Sequence, residues 1–341
     1  MRKLKVVQIG VCHEHANGKF ETAMRMSDTF DLVGVVDERG YSTTPRVSDY
    51  SHLVKDVPHL TEEEEVYRIP DLDLVLVEVP NMDLVPTALR VMEHNLPMHL
   101  DKPAGDDLAA YKRLLDGCEQ RGLALQMGYM FRGNPVFQFV QQLVRAGAFG
   151  DIHSIDMDMD HCYGGEPYQE YLNKMKGGIM FNLGCHLIDF IVSLLGEPSR
   201  VVPFLKSTPD VPDTCANNTL AVLEYPYATA CVRACSRKPA GGAAGQRHCR
   251  IAGTQGCCEW EPLERFDSTP LKLRFYLSKP CMGFFAGPHT IEFPPQSDRY
   301  AVQLRELADV VRGLRASSYS YQHDYLVHKV TLAAAGYEGL Y

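Results

Sequence analysis

The chain has 341 residues, with 34 lysines and arginines set against 43 aspartates and glutamates, for a net charge of −9. At roughly 150 residues per domain, this length predicts two domains with sizeable cores and excludes a lone small module. A content of 45% apolar and 23% charged residues excludes a disordered or fibrous chain, and the acidic balance without a basic patch argues against a nucleic-acid partner. No apolar run reaches the roughly 18–20 residues of a membrane span. Residues 1–6 enter a strand pattern without the apolar stretch of a leader, so the expectation is a cytoplasmic protein with no membrane partner. Eleven cysteines are scattered without a C-x-x-C pair, Cys231/Cys235 and Cys257/Cys258 being the nearest groupings. They read as reduced, mostly buried thiols with no metal site.

Short apolar runs at 4–10, 31–37, 72–80, 97–100 and 123–128 read as strands, several apolar on both faces, as in a parallel sheet covered by helices. Helical patterns at 16–26, 84–94 and 107–121 lie between them. This βαβ rhythm defines a doubly wound, Rossmann-like α/β domain over 1–127. After Gly128 the rhythm changes. A helix at 135–146 leads into a strand at 152–160, with Ile155, Met157 and Met159 on one face and Asp156, Asp158 and Asp160 on the other. Such alternation marks a sheet with unlike faces, and the acidic one reads as solvated or subunit-facing surface rather than a cation site. Strands at 219–225, 229–234, 248–252, 271–277 and 290–293, with helices at 180–195, 300–314 and 325–337, make 128–322 an α+β domain with a mostly antiparallel open sheet. The last helix, within 323–341, is expected to pack back on the first domain, with His323 and Asp324 as its N-cap. The Gly-rich run 240–245 reads as a mobile loop.

Gly10-Val11-Cys12-His13-Glu14-His15 follows the first strand, where a dinucleotide fold places G-x-G-x-x-G. Gly10 permits the tight turn, and the next helix can offer N–H groups to a pyrophosphate. Cys12 and His15, however, put side chains where close backbone approach is wanted. Asp37 closes the second strand, where a carboxylate accepts hydrogen bonds from an adenosine ribose; its plain alternative is a turn residue. A carboxylate there repels a 2′-phosphate and favours NAD over NADP, with Arg39 acting in the opposite sense.

Pro80-Asn81 follows the third long strand and Asp101-Lys102-Pro103 the fourth. Later comes Gly177-Gly178-Ile179-Met180-Phe181-Asn182-Leu183-Gly184-Cys185-His186-Leu187-Ile188-Asp189. These segments resemble the Gfo/Idh/MocA family of NAD(P)-dependent oxidoreductases, whose hallmarks are E-K-P and G-G-x-x-x-D-x-G-x-H-x-x-D. The resemblance implies an NAD-dependent dehydrogenase or reductase of a polyol, sugar or sugar derivative. It implies cofactor contacts from Gly10, Val11, Cys12, His13, Asp37, Pro80, Asn81, Asp101 and Lys102, and assembly as a homodimer or homotetramer. It also admits an enzyme that retains its NAD and eliminates a substituent without net redox, and a non-catalytic dinucleotide- and sugar-sensing regulator.

The residues support this chemistry independently. At about 100° per residue, Asn182, His186 and Asp189 fall within roughly 60° of one another on a helix. Lys102 lies at the carboxyl end of a parallel strand, where open α/β sheets place ligands. Hydride leaves an alcohol carbon only as the hydroxyl proton leaves oxygen, which needs a base and a positive charge for the alkoxide. His186 supplies the first, Lys102 the second, and Asn182 orients His186. Asn182 stands where the family pattern has aspartate, so it cannot hold His186 as a charged pair. Asp101 replaces a glutamate one methylene longer. Tyr129, Arg132, His161, Tyr163 and Asp189 are candidate substrate contacts, with a packed hinge as the alternative at Tyr129 and Arg132.

Overall fold

The computed structural model describes residues 1–37, 55, 57–239 and 247–341. Arg39 and the run 240–245 lie outside the described residues. The chain divides into two units, 1–130 with 300–325, and 131–299 with 326–341.

The first unit is a six-stranded parallel sheet in the order β3-β2-β1-β4-β5-β6. Its strands are β1 (Leu4–Ile9), β2 (Phe30–Val36), β3 (His59–Leu60), β4 (Leu74–Val77), β5 (Met98–Leu100) and β6 (Leu125–Met127). Between them run α1 (Ala16–Arg25), α2 (Leu84–Glu93) and α3 (Leu108–Arg121). The ends of α3 are written in its sequence: Asp107 accepts the Ala110 N–H at 2.8 Å, and Gly122 closes it at φ 64°. The strand order reverses between β1 and β4, which makes the carboxyl ends of those strands the topological switch point.

The boundaries differ from those expected. The helix α7 (Ala301–Val311), expected in the second domain, belongs to the first unit. Leu304, Leu307 and Ala308 complete a core with Leu4, Val6, Leu74 and Leu76. A polar row seats the same helix: His99 Nδ1 meets Gln126 Oε1 at 3.1 Å, Gln126 donates to the Gln303 carbonyl at 3.0 Å, and Gln303 donates to the Tyr129 carbonyl at 2.7 Å. Only the start of α8 (Tyr321–Ala334) falls in the first unit; 326–341 belong to the second, where Lys329 pairs with Glu197 at 2.8 Å. That helix starts before His323 and Asp324, and its cap is Ser320, whose hydroxyl accepts the His323 N–H at 3.1 Å.

The second unit is an eight-stranded sheet in the order β14-β13-β12-β11-β7-β10-β9-β8. The strands are β7 (Ile152–Met159), β8 (Arg200–Lys206), β9 (Asn218–Glu224), β10 (Thr229–Cys235), β11 (Arg247–Gly253), β12 (Gly256–Trp260), β13 (Leu271–Leu277) and β14 (Gly287–Phe293). All its pairs are antiparallel except β7 with β10. Helices α4 (Pro135–Arg145), α5 (Gly165–Asn173) and α6 (Cys185–Leu195) complete the unit, and Phe137 of α4 meets Phe190 of α6 and Trp260 of β12 edge-to-face. The other face of the sheet is open and charged, with Asp156, Arg250, Glu259 and Arg274 in one row across four strands. Asp160 departs from that surface: it is 2% exposed and takes the Lys238 ammonium at 3.0 Å. The eleven cysteines form no disulfide. Among the described residues, no helix is long and apolar enough to cross a membrane.

Candidate active site

In the first unit the charged groups gather at the carboxyl ends of β1, β4 and β5. Gly10 turns the chain at φ 89°, and a Cβ there would lie 2.7 Å from the Val79 backbone nitrogen, so no other residue fits. Val11 and Cys12 then turn inward onto Phe20, Val35 and Val57. The Cys12 side chain therefore belongs to the core and does not obstruct the loop, contrary to the sequence expectation.

His13 and His15 converge on Asp101, with His13 Nδ1 at 2.9 Å and His15 Nδ1 at 3.1 Å from the carboxylate. Asn81 ties the group together, its amide nitrogen lying 3.3 Å from His13 Nε2 and donating to the Lys102 carbonyl at 3.1 Å. Lys19, from α1, places its ammonium 2.6 Å from Asp101 and 2.8 Å from Glu78, with all three side chains fully buried. Room for it comes from Gly128, where a Cβ would lie 3.0 Å from Lys19 Nζ and 2.9 Å from Asp101 Oδ1. The Lys102 ammonium, also fully buried, pairs with Glu14 Oε1 at 3.2 Å, and its peptide bond to Pro103 is cis.

The electrostatics follow from this burial. Burial pushes the Glu78 carboxyl well above the ordinary range, against the pull of Lys19. It acts on Asp101 in the same sense, but His13, Lys19 and His15 together outweigh it and hold that carboxyl well below its usual value. Burial lowers His15 to about 4, against the attraction of Asp101 and with Lys102 adding to the drop. His13, His15 and Asp101 lie close enough to hold a cation, their ligand atoms within 4.8 Å of one another. Lys19 already delivers positive charge to that carboxylate.

In the second unit, Gly177 and Gly178 sit at φ 78° and 46°, and each is demanded by a close backbone approach. A Cβ on Gly178 would strike the Ala216 carbonyl oxygen, and one on Gly177 would lie 2.6 Å from Ala335 Cα. The chain then makes one π-helical turn, Met180–Gly184, before α6. That turn alters the ideal angular relation between Asn182 and the residues after it. Asn182 donates to the Tyr168 hydroxyl at 2.9 Å, and the His186 ring lies 5.7 Å from that of Phe131. Tyr163 stacks on His161 at 3.4 Å, and both rings flank Tyr168. Asp189 and Arg132, expected at substrate, instead hold each other in a buried two-pronged ion pair, with contacts of 2.6 and 3.1 Å. Tyr129 is 1% exposed.

The structure thus brings His13, Asn81, Asp101 and Lys102 together in one unit, and Asn182, Tyr168, His161 and Tyr163 in the other. Asp37 stands apart, half-buried just beyond β2. Lys19, Glu78 and Tyr168 escaped the sequence reading. Glu78 left one signal, a lone carboxylate interrupting an apolar strand end between Val77 and Val79.

Fold and sites define a protein of two units, a doubly wound parallel domain and an α+β domain with an open sheet. Residues 137–259 match the family model of the GFO/IDH/MocA C-terminal domain. The chain is 28% identical over 131 residues to the dTDP-3,4-didehydro-2,6-dideoxy-alpha-D-glucose 3-reductase of Streptomyces violaceoruber, covering 38% of each chain. It is 23% identical over 174 residues to the scyllo-inositol 2-dehydrogenase (NADP(+)) IolW of Bacillus subtilis, covering 50% of this chain and 48% of that one. The chain therefore spans half or less of the length of these curated relatives. The structure of an oxidoreductase from Agrobacterium radiobacter in complex with NAD+, L-tartaric acid and magnesium superposes with a TM-score of 0.77 at 16% identity, over 98% of this chain and 95% of that one. At that identity the likeness is one of fold.

Proposed function

We propose that the chain is an oxidoreductase that uses a nicotinamide dinucleotide, NAD rather than NADP, to interconvert a secondary alcohol and a ketone of a sugar, sugar derivative or polyol. Lys102 carries this reading: its buried ammonium follows β5 and is held by Glu14 from the loop that opens α1, on the sheet's ligand-binding edge. The names of the relatives support a nicotinamide dinucleotide and a sugar or polyol, one a dTDP-sugar 3-reductase and another a scyllo-inositol dehydrogenase using NADP+, as does the fold neighbour solved with NAD+; the choice of NAD rests on Asp37.

The donor set fits a dinucleotide. The Gly10 turn leaves no room for a Cβ, the side chains of Val11 and Cys12 point into the core, and Asp37 ends its strand where a ribose carboxylate belongs. Gly10, Val11, Cys12 and His13 would border the phosphates, the Gly10 and His13 N–H groups being held by the Val36 and Glu78 carbonyls at 3.0 Å each, with Pro80, Asn81 and Asp101 lining the switch point. When bound, the nicotinamide supplies the hydride acceptor or donor. The Lys102 ammonium stabilises the alkoxide that develops on the substrate, and His186 exchanges the hydroxyl proton. Asn182, which donates its amide N–H to the Tyr168 hydroxyl, lends that imidazole no charge. The aromatic surface of Tyr163, backed by His161, suits the C–H face of a sugar ring.

The same reading places the protein in the cytoplasm, in keeping with its cysteines forming no disulfide. It also has the protein assemble as a homodimer or homotetramer through the open sheet, which exposes Phe204 and Tyr276. Calorimetric titration with NAD and NADP, followed by NADH absorbance over a panel of polyols and sugars, tests the chemistry. NAD binds more tightly than NADP, and Asp37→Ala weakens NAD by about 1–2 kcal/mol; unchanged affinity removes Asp37 from the site.

A further inference from the structure

His15 lies between two carboxylates. Its Nδ1 is 3.1 Å from Asp101, and its Nε2 is 3.7 Å from Glu14 Oε1, the same oxygen that lies 3.2 Å from Lys102 Nζ. An anionic carboxylate can only accept, so the Asp101 contact fixes the neutral imidazole with its proton on Nδ1 and its lone pair on Nε2, toward Glu14. This is the arrangement by which a carboxylate readies a histidine to take a proton. Lys102, Glu14 and His15 therefore stand in series inside the first unit, with Lys102 hydrogen-bonded to Glu14 at 3.2 Å and the Glu14–His15 contact, at 3.7 Å, still longer than a hydrogen bond. Contacts of this kind commonly tighten when reactants bind.

We propose that Glu14 and His15 act through Lys102 as a proton relay, a second route beside His186 that carries the substrate's hydroxyl proton to the His15 imidazole, with Asp101 orienting it. The proposal rests on the reading that Lys102 meets the substrate oxygen. In the oxidising direction the O–H bond breaks and its proton passes to Lys102 as the ammonium hands one to the Glu14 carboxylate. The resulting carboxylic acid gives its proton to His15 Nε2. The carbinol C–H bond breaks with its electron pair, and that hydride is taken up by the oxidised nicotinamide of the proposed function. Alcohol becomes ketone, one hydride and one proton are accounted for, and the imidazolium rests against Asp101. Reduction runs the same steps backward. The relay answers a deficit at His186, whose motif partner Asn182 is uncharged.

The groups facing His15 fix the sign of its titration. His13 meets it ring to ring at 5.1 Å and Tyr300 at 5.9 Å, while Asp101 and Lys102 face it from the end of β5 and Glu14 from its own loop. Lys19, of α1, neutralises Asp101 from the other side and bonds Glu78 of the segment after β4. Burial and Lys102 lower His15, and the two carboxylates raise it.

Two measurements test the relay. In the first, kcat is followed from pH 3.5 to 9 for wild type, Glu14→Gln, His15→Asn, His15→Gln, His186→Asn and Lys102→Ala. The relay predicts that Glu14→Gln lowers kcat tenfold or more with KM within twofold, and that both His15 variants move the acidic limb while His186→Asn leaves it in place. A wild-type profile in Glu14→Gln and both His15 variants overturns the relay. Wild-type turnover in Lys102→Ala instead overturns the reading beneath it. The second measurement needs neither nucleotide nor substrate: NMR titration of the His15 ring. The relay predicts an Nδ1–H tautomer titrating near 4, rising by at least one unit in Lys102→Ala and falling in Glu14→Gln. An ordinary titration near 6.5, unmoved in both variants, overturns it.

Discussion

Lys19 shows how much one side chain organises in this protein. Its ammonium neutralises Asp101 and bonds Glu78 where water does not reach. Removing one partner of such a group leaves uncompensated buried charge, which typically costs ~3–5 kcal/mol. Lys19→Met is therefore expected to destabilise the protein by about that much in urea unfolding. Glu78→Gln should cost about 1 kcal/mol or less, because burial already drives the Glu78 carboxyl toward its neutral form. Equal losses in the two variants would contradict this account of the charges. The sequence could not reveal the cluster, since the partners of Lys19 lie 59 and 82 residues away and meet it only because they follow the carboxyl ends of β4 and β5, which the sheet brings beside the first turn of α1. The strand-end positions of Lys102, His13 and Asn81 were legible, because a strand end followed by a polar residue identifies itself in a parallel sheet. Arg132 and Asp189 misled for the opposite reason: each reads as a site residue until its partner is seen.

Among the elements, the segment leading into α6 depends most on local shape. Gly178→Ala would place a methyl on the Ala216 carbonyl at a left-handed φ of 46°, so a loss on the order of 3 kcal/mol is expected. Gly184→Ala should cost about 1 kcal/mol, since its backbone is ordinary and the group in its way is the flexible Met180 thioether, 2.5 Å from the added Cβ. Thermal melts of the two variants check the ordering, and a reversed order would contradict it. The paired glycines of the motif are thus explained by packing as well as by function. The sheet elements were largely legible from period-two and all-apolar runs. The misses have physical reasons: β8 carries Pro203, which an edge strand tolerates, β3 has two residues, β12 is a five-residue run that opens on Gly256, and α5 follows the Gly164-Gly165 turn. The unit to which α7 belongs was illegible, since a helix returning to the first core carries no mark of its destination.

Across the whole molecule, buried histidines set the acid limit of stability. His15 is held at about 4 and His99 at about 3, both chiefly by burial. Each titrates near 6.5 once unfolded, so between pH 6.5 and those values the unfolded chain binds the extra protons. Their contribution is complete above pH 6.5 and is lost as pH falls toward 4, about 3 kcal/mol for His15 alone. Glu78 works in the opposite sense, its raised carboxyl favouring the folded state as pH falls, and moderates the slope. Melting temperature should therefore drop from pH 7 to 4.5, and His99→Gln should make the drop shallower; a flat wild-type profile would contradict the assignment.

The account as a whole turns on Lys102 serving a bound dinucleotide, and a paired measurement on Lys102→Ala addresses it directly: NADH formation on the best alcohol of the panel, with NAD affinity by calorimetry on the same samples. Loss of an oxyanion partner predicts turnover lower on the order of 10²-fold or more, with affinity within about threefold of wild type on the same scale. Turnover equal to wild type at unchanged affinity would contradict the assignment of Lys102 and the mechanism built on it.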